Sequence, residues 1–323
     1  MSEFTLQVKN LHARYHTRFG EDIYAVDGVS LNLLKGKVLG IAGESGCGKS
    51  TLANCLMGCF FKPLHYTSGE LIIDGVDAVA IDPETFRKEV LGKKIAYIPQ
   101  AAMNTLNPTL KIKSFLMDVL KEHKPEMSKV EMMELATERF KALGLDPKVL
   151  NAYPNELSGG MKQRTVIAIS TILNPKVLVA DEPTSALDVT SQKKVILLIK
   201  RLLIEGYVES IVFITHELPL LYHVADKIAI MYAGQIVERG SSEDVVFDAL
   251  HPYAKALMGS IIVPELDMKE HKLYAIPGAP PNLKQKLTGC RFYDRCKERQ
   301  SFCKETNPEI KTVEHREHRC LIV

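Results

Sequence analysis

Residues 43–51 read GESGCGKST, directly after the apolar run VLGIA at residues 38–42. The stretch fits the pattern G-x-x-x-x-G-K-[ST] at Gly43, Gly48, Lys49 and Ser50. Its glycines let successive backbone N–H groups turn inward as a nest for phosphate oxygens. A helix opening near Lys49 adds the positive end of its dipole to the same anion site. Lys49 can reach the β- and γ-phosphates, and the Ser50 hydroxyl can ligate Mg2+. The chemistry needs a buried strand before the loop and a helix after it, and the sequence supplies both.

Two further runs share the character of the first. KVLVADE at residues 176–182 and SIVFITH at residues 210–216 are short, continuous and rich in β-branched residues. That is the signature of central parallel strands covered on both faces. In contrast, LQVKNLHARY (6–15), VSLNLL (29–34) and GELIIDGVDA (69–78) alternate or turn, as in an antiparallel sheet flanking the core. Helical patterns follow at KSTLANCLMG (49–58) and SQKKVILLIKRLL (191–203). Residues from about 101 to 173 lack convincing strands and read as a helical insertion. Within it, SKVEMMELATERFKALGL predicts a helix with Ser128 as N-cap and Gly144 as stop. AIPGAPPNLKQKLTG (275–289) reads as a connector to a cysteine-bearing tail.

The expected fold is therefore α/β: a P-loop NTPase core, a flanking antiparallel β-subdomain, a helical insertion and a small irregular C-terminal tail. The expected division is 1–260 for the ATPase domain and 261–323 for the C-terminal region.

The 41 basic and 39 acidic residues leave a net charge of +2, which argues against wholesale nucleic-acid binding. The start, MSEFTLQVKN, has no apolar signal segment, and no run reaches the roughly 18 apolar residues of a membrane span. A cytoplasmic protein is expected. Cys290, Cys296, Cys303 and Cys320 crowd the end of the chain. In a reducing compartment such a cluster points to a metal or cofactor more than to disulfides.

Asp181 sits where a buried strand ends, and a carboxylate there is costly unless it meets a cation. Bound Mg2+ supplies one. Glu182, one residue on, would point elsewhere and could polarise an attacking water. In open parallel sheets ligands gather at the carboxyl ends of strands. Gly43, Asp181 and His216 all fall at such ends, so His216 joins the site. Gln100, closing IAYIPQ, could touch Mg2+ or the water.

Together these residues resemble the ATP-binding cassette family of transporter ATPases, over about Leu6 to Gly259. The matching motifs are the phosphate loop, Gln100, LSGGMKQ at residues 157–163, Asp181–Glu182, SALD at Ser185–Asp188, and His216. The resemblance implies ATP bound by Gly43, Ser45, Gly46, Cys47, Gly48, Lys49, Ser50 and Thr51, with Mg2+ at Ser50, Gln100 and Asp181. It implies catalytic roles for Lys49, Gln100, Glu182 and His216, and an adenine stacked on Tyr15, with Tyr24 as a rival. It also implies two cassettes packed head to tail. Ser158, Gly159, Gly160 and Gln163 of one would then grip ATP on the other, with Asp188 in the adjoining loop.

HPYAKAL, IPGAPPNL and GCRFYDRC resemble the tail of oligopeptide, dipeptide and nickel importers. The C-x5-C-x6-C-x16-C spacing fits poorly with zinc, whose ligands usually begin two to four residues apart. Four thiolates on irregular loops suit an iron–sulfur cluster, and the resemblance implies that it is [4Fe–4S]. Zinc with His315 or His318, and unliganded thiols, are the alternatives. The partners implied are a homologous second ATPase or a second copy, two permease subunits that place the chain on the cytoplasmic membrane face, and an extracytoplasmic binding protein. The cargo, whether peptide, oligosaccharide or nickel, is chosen outside this subunit. A soluble cassette ATPase of DNA repair or translation is the rival class.

Overall fold

The structure, a computed structural model, describes residues 3–185, 187–260, 275–285 and 287–323 of the 323-residue chain. The stretch 261–274, which opens the expected C-terminal region, lies outside the described residues, as does Ala186 of SALD. Two compact units are distinguished. One comprises Leu34–Gly36, Ile73–Ile211 and the chain start up to Leu6; the other comprises Gln7–Leu33, Lys37–Ile72 and Val212–Val323.

The second unit carries the phosphate loop. Its central strand, Val38–Ala42, is buried at all five positions, as the unbroken apolar run requires. It pairs in parallel with Lys227–Tyr232 in the register Ile41↔Ala229. Lys227–Tyr232 turns back antiparallel into Gln235–Ser241, with a register shift between Ile236 and Glu238. The connecting residues, Ala233 and Gly234, both have positive φ (48° and 85°). That is the backbone a tight two-residue hairpin with matching twist demands.

The sheet then continues into the tail: Arg316–His318 pairs antiparallel with Gln235–Ser241, and Lys311–Val313 pairs with Arg316–His318. The tail expected to be irregular thus contains a short hairpin. Its outer strand is exposed at all three positions, so it has no apolar alternation to read.

A second sheet places Phe4–His16 between Asp22–Leu34 and Leu64–Ile73. In Phe4–His16 the buried apolar side chains are Leu6 and Val8, then Leu11 and Ala13. The parity changes at Asn10, whose φ is 46°. One residue out of pleat is enough to switch which face the later side chains meet.

The first unit pairs Ile95–Ile98 with Val177–Asp181 in parallel, Ile98 opposite Ala180. All five residues of Val177–Asp181 are buried. Between these strands the described chain is helical: Ile112–His123, Lys129–Ala142 and Gly159–Thr171, with 3₁₀ turns at Pro147–Asn151 and Pro154–Glu156 ahead of the last. Lys129–Ala142 starts at a capping box, in which Glu131 N–H donates to the Ser128 hydroxyl and Ser128 N–H to the Glu131 carboxylate. It stops before Gly144, at φ +65°. Among the described residues no helix is long and apolar enough to cross a membrane.

Candidate nucleotide site and cysteine tail

In the phosphate-loop unit, Val38–Ala42 delivers the chain into Gly43 and the helix Lys49–Leu56 receives it. Gly48 precedes the helix at φ +107°, and a Cβ there would lie 2.2 Å from the Ala25 carbonyl oxygen. No other residue fits that position. Lys49 is buried, and its ammonium is folded into the loop, donating to the carbonyls of Gly43 (2.8 Å) and Glu44 (3.0 Å). Cys47 is buried against the same loop, and burial pushes its thiol upward in pKa. Its carbonyl accepts the Gly234 N–H at 2.8 Å, so the Ala233–Gly234 turn is a shelf under the loop.

Ser45, Gly46 and Ser50 are exposed at the loop's surface. The Tyr15 and Thr51 hydroxyls are hydrogen-bonded at 3.1 Å, which brings the expected adenine-stacking tyrosine to the end of the phosphate loop. The backbone N–H of the rival, Tyr24, donates to the Leu283 carbonyl at 3.0 Å. Thr215 N–H donates to the Ile41 carbonyl at 3.1 Å, so Ser210–Ile214 and Val38–Ala42 end side by side. His216, exposed, and Gly43 therefore leave the sheet at the same edge.

In the other unit Asp181 is buried, and Tyr97 donates a hydroxyl hydrogen bond to its carboxylate at 3.2 Å. The next residue, Glu182, has φ +45°, a left-handed conformation rarely adopted by a non-glycine residue. Strain of this kind persists only where the surroundings fix it and gathers at functional sites. The Gln100 amide donates to the Glu182 carboxylate at 2.8 Å. Gln100 and Glu182 thus leave two adjacent parallel strands at their carboxyl ends and meet.

Ser158 N-caps Gly159–Thr171, accepting from Met161 N–H, and both Ser158 and Gly159 are exposed. Gln163 makes its contact within its own unit. It is buried, and its amide donates to the Pro183 carbonyl at 2.6 Å, tying the helix Gly159–Thr171 to the loop after Asp181–Glu182. Asp188 caps Val189–Ile204, and the Ser191 hydroxyl holds its carboxyl below the usual range.

The four tail cysteines are brought together: Cys290, Cys296, Cys303 and Cys320 line one cavity with His251 and Phe292. All four are free thiols. Burial, and then the neighbouring thiols, push Cys290 up to about 11. Neither histidine weighed for zinc lines this cavity. His315 is spent on Asp244 at 2.8 Å, and His318 lies in the strand paired with Gln235–Ser241. Among the described residues no three His, Cys, Asp or Glu side chains are grouped to hold a metal ion.

Phe292 is wedged between Tyr232 (5.4 Å) and Tyr253 (5.3 Å), and the Tyr253 hydroxyl accepts the Glu44 N–H. Burying such a ring contributes about 2–3 kcal/mol. Gly289, at φ +72°, lets the chain pass Lys304, whose carbonyl oxygen would sit 2.1 Å from an added Cβ. Gly289→Ala is therefore expected to unfold the tail locally, so that Cys296, Cys303 and Cys320, buried in the native chain, react at least tenfold faster with a thiol reagent. Unchanged labelling rates would show that the loop absorbs the methyl group.

This constellation belongs to a known class. A family model described as ABC transporter matches residues 26–185, and one described as oligopeptide/dipeptide transporter, C-terminal region, matches residues 237–303. The chain belongs to the ATP-binding cassette family of transporter ATPases.

It is 39% identical over 305 residues to the dipeptide transport ATP-binding protein DppD of Caldanaerobacter subterraneus, covering 94% of this chain and 92% of that one. With the oligopeptide transport ATP-binding protein OppD of Bacillus subtilis it shares 41% over 291 residues, covering 89% and 80%. The solved dimeric cassette MJ0796, in a post-hydrolysis state with ADP and Pi, superposes with a TM-score of 0.64 at 31% identity, covering 73% of this chain and 98% of that one.

Proposed function

We propose that this chain is the ATP-hydrolysing subunit of a di- or oligopeptide importer, seated on the cytoplasmic face of a membrane through two separate permease subunits. A homologous second ATPase completes the pair, and an extracytoplasmic binding protein delivers the cargo. The observation that carries the reading is the coincidence of both family matches on one chain. Both relatives described above are named for peptide transport.

In this reading Lys49 holds the β- and γ-phosphates within the nest of Gly43, Ser45, Gly46, Cys47, Gly48 and Thr51, and Tyr15 stacks on adenine. Ser50, Gln100 and Asp181 would hold Mg2+, which when bound offsets phosphate charge. Glu182 orients the attacking water, Gln100 senses the nucleotide through its bond to Glu182, and His216 stabilises the transferred phosphoryl group. Catalysis is then positioning and electrostatics. Ser158, Gly159 and Gly160, at the exposed start of their helix, serve ATP on the neighbouring subunit.

In the same reading the four tail thiols would hold a [4Fe–4S] cluster, a cofactor that four thiolates on short loops suit. They share one cavity, which supports that reading, although no three metal-ligating side chains are grouped to hold a metal ion among the described residues. Such a cluster would staple a region too small for a core of its own. Iron content and broad visible absorption of an anaerobic preparation test this; a colourless, zinc-loaded protein would refute it.

The transport reading is tested by deleting the gene in its host and following uptake of labelled peptides, oligosaccharide and nickel. Peptide uptake should fall to background and return with the wild-type gene but not with Lys49→Ala. Loss of oligosaccharide or nickel uptake, with peptide uptake intact, would overturn the assignment of cargo.

A further inference from the structure

The second residue of the phosphate loop is held from an unexpected direction. Glu44 uses its backbone in the loop: its carbonyl accepts Lys49 Nζ at 3.0 Å and Cys47 N–H at 3.3 Å. Its side chain faces the tail. Arg295, one residue before Cys296, meets the Glu44 carboxylate with both terminal nitrogens, at 2.6 and 2.8 Å. This is the two-point geometry in which guanidinium and carboxylate bind most strongly.

Arg295 is itself fixed. Its side chain is 4% exposed, its Nε donates to the Pro277 carbonyl at 2.8 Å, and its Nη1 reaches the Tyr232 hydroxyl at 3.3 Å. Four residues earlier, Arg291 follows Cys290 and is equally buried. It donates to the Asp27 carboxylate and the Ala233 carbonyl. Ala233 opens the turn whose Gly234 N–H holds the Cys47 carbonyl, and Asp27 N–H donates to the Gly234 carbonyl at 2.9 Å. Two arginines from one cysteine interval therefore grip the loop at Glu44 and, through the turn, at Cys47.

We propose that Arg295, seconded by Arg291, is a positioning residue for nucleotide: the folded cysteine tail sets the shape and charge of the phosphate loop and thereby the affinity for ATP. The charge argument gives the sign. A carboxylate in an anion-binding loop repels a triphosphate, and at close range in a partly dry site that repulsion is large. Arg295 cancels it and points the carboxylate away from the phosphates. Without the arginine, Glu44 is an uncompensated negative charge in the wrong place. The proposal rests on the loop's being the ATP site.

The test measures the equilibrium affinity of the full-length chain for a fluorescent ATP analogue, together with KM and kcat for ATP hydrolysis. Arg295→Gln is expected to weaken ATP binding about tenfold, a change of about 1.4 kcal/mol. KM should rise by the same factor while kcat stays within twofold. Adding Glu44→Gln to that variant should restore most of the affinity, because the unpaired charge is gone, and Arg295→Lys should fall between wild type and Arg295→Gln. A residue that only holds the tail together would not be rescued by removing its partner. Affinity unchanged in Arg295→Gln, or a double variant no better than the single, overturns the proposal. An Arg295→Gln variant that fails to fold leaves Arg295→Lys and Glu44→Gln to decide it: equal affinity in all three folded proteins is again a refutation. Wild-type chain that binds no ATP at all would instead refute the nucleotide reading itself.

Discussion

Glu182→Gln is expected to leave ATP binding within about threefold of wild type and to cut hydrolysis by 10²-fold or more, the range associated with losing a positioned general base. The substitution keeps the length and shape of the side chain, and an amide oxygen can still accept from Gln100, whose nitrogen lies 2.8 Å from the native carboxylate. What disappears is the negative charge that draws a proton from water. Held at φ +45°, position 182 spends conformational energy to aim this side chain, so a change of chemistry without a change of shape isolates the catalytic part. In the proposed cycle, where hydrolysis reopens a closed pair, ATP-loaded variant should also accumulate as a pair in gel filtration. Wild-type turnover by the variant would remove Glu182 from the reaction.

Gly48→Ala should act on the opposite quantity. At φ +107° an L-residue is strained, and its Cβ would sit 2.2 Å from the Ala25 carbonyl oxygen. Backbone strain of this kind costs about 1–3 kcal/mol, and the overlap adds to it. The loop must move, the N–H groups lose their common focus, and ATP affinity should fall by about a hundredfold or more. Titration with a fluorescent nucleotide measures it. The rest of the fold should be spared, because the strand Val38–Ala42 and its parallel pairing with Lys227–Tyr232 do not depend on that φ. Native affinity in Gly48→Ala would mean that the nest is not built as described.

The sequence made the central strands legible because each is buried on both faces and so written as an unbroken apolar run: Val38–Ala42, Val177–Asp181 and Ser210–Ile214 fall inside the runs read for them. The hairpin Lys227–Ser241 was missed, although KIAIMYAGQIVERG announces it: two apolar stretches around a two-residue turn ending in glycine. The tail hairpin had no such signal, because its outer strand is exposed and exists only through its register on Gln235–Ser241.

In the site, motif residues were legible and their supports were not. Tyr97 is 84 positions from Asp181, and Arg295 is 251 from Glu44. Neither pairing leaves a local pattern. Gln163 is instructive in another way. Five residues along a helix from Ser158 is about 140° around the axis, the same side as the buried Ile167, so helical geometry alone places it inward.

The hairpin at residues 311–318 has a consequence for anyone who shortens this chain. It completes a ladder of backbone donors and acceptors whose last member would otherwise be Gln235–Ser241, one strand removed from Lys227–Tyr232. Trimming the protein to a minimal cassette would leave that rim bare, and a bare rim recruits strands from other molecules. The short hairpin thus shields an edge that the cassette strands by themselves would leave open.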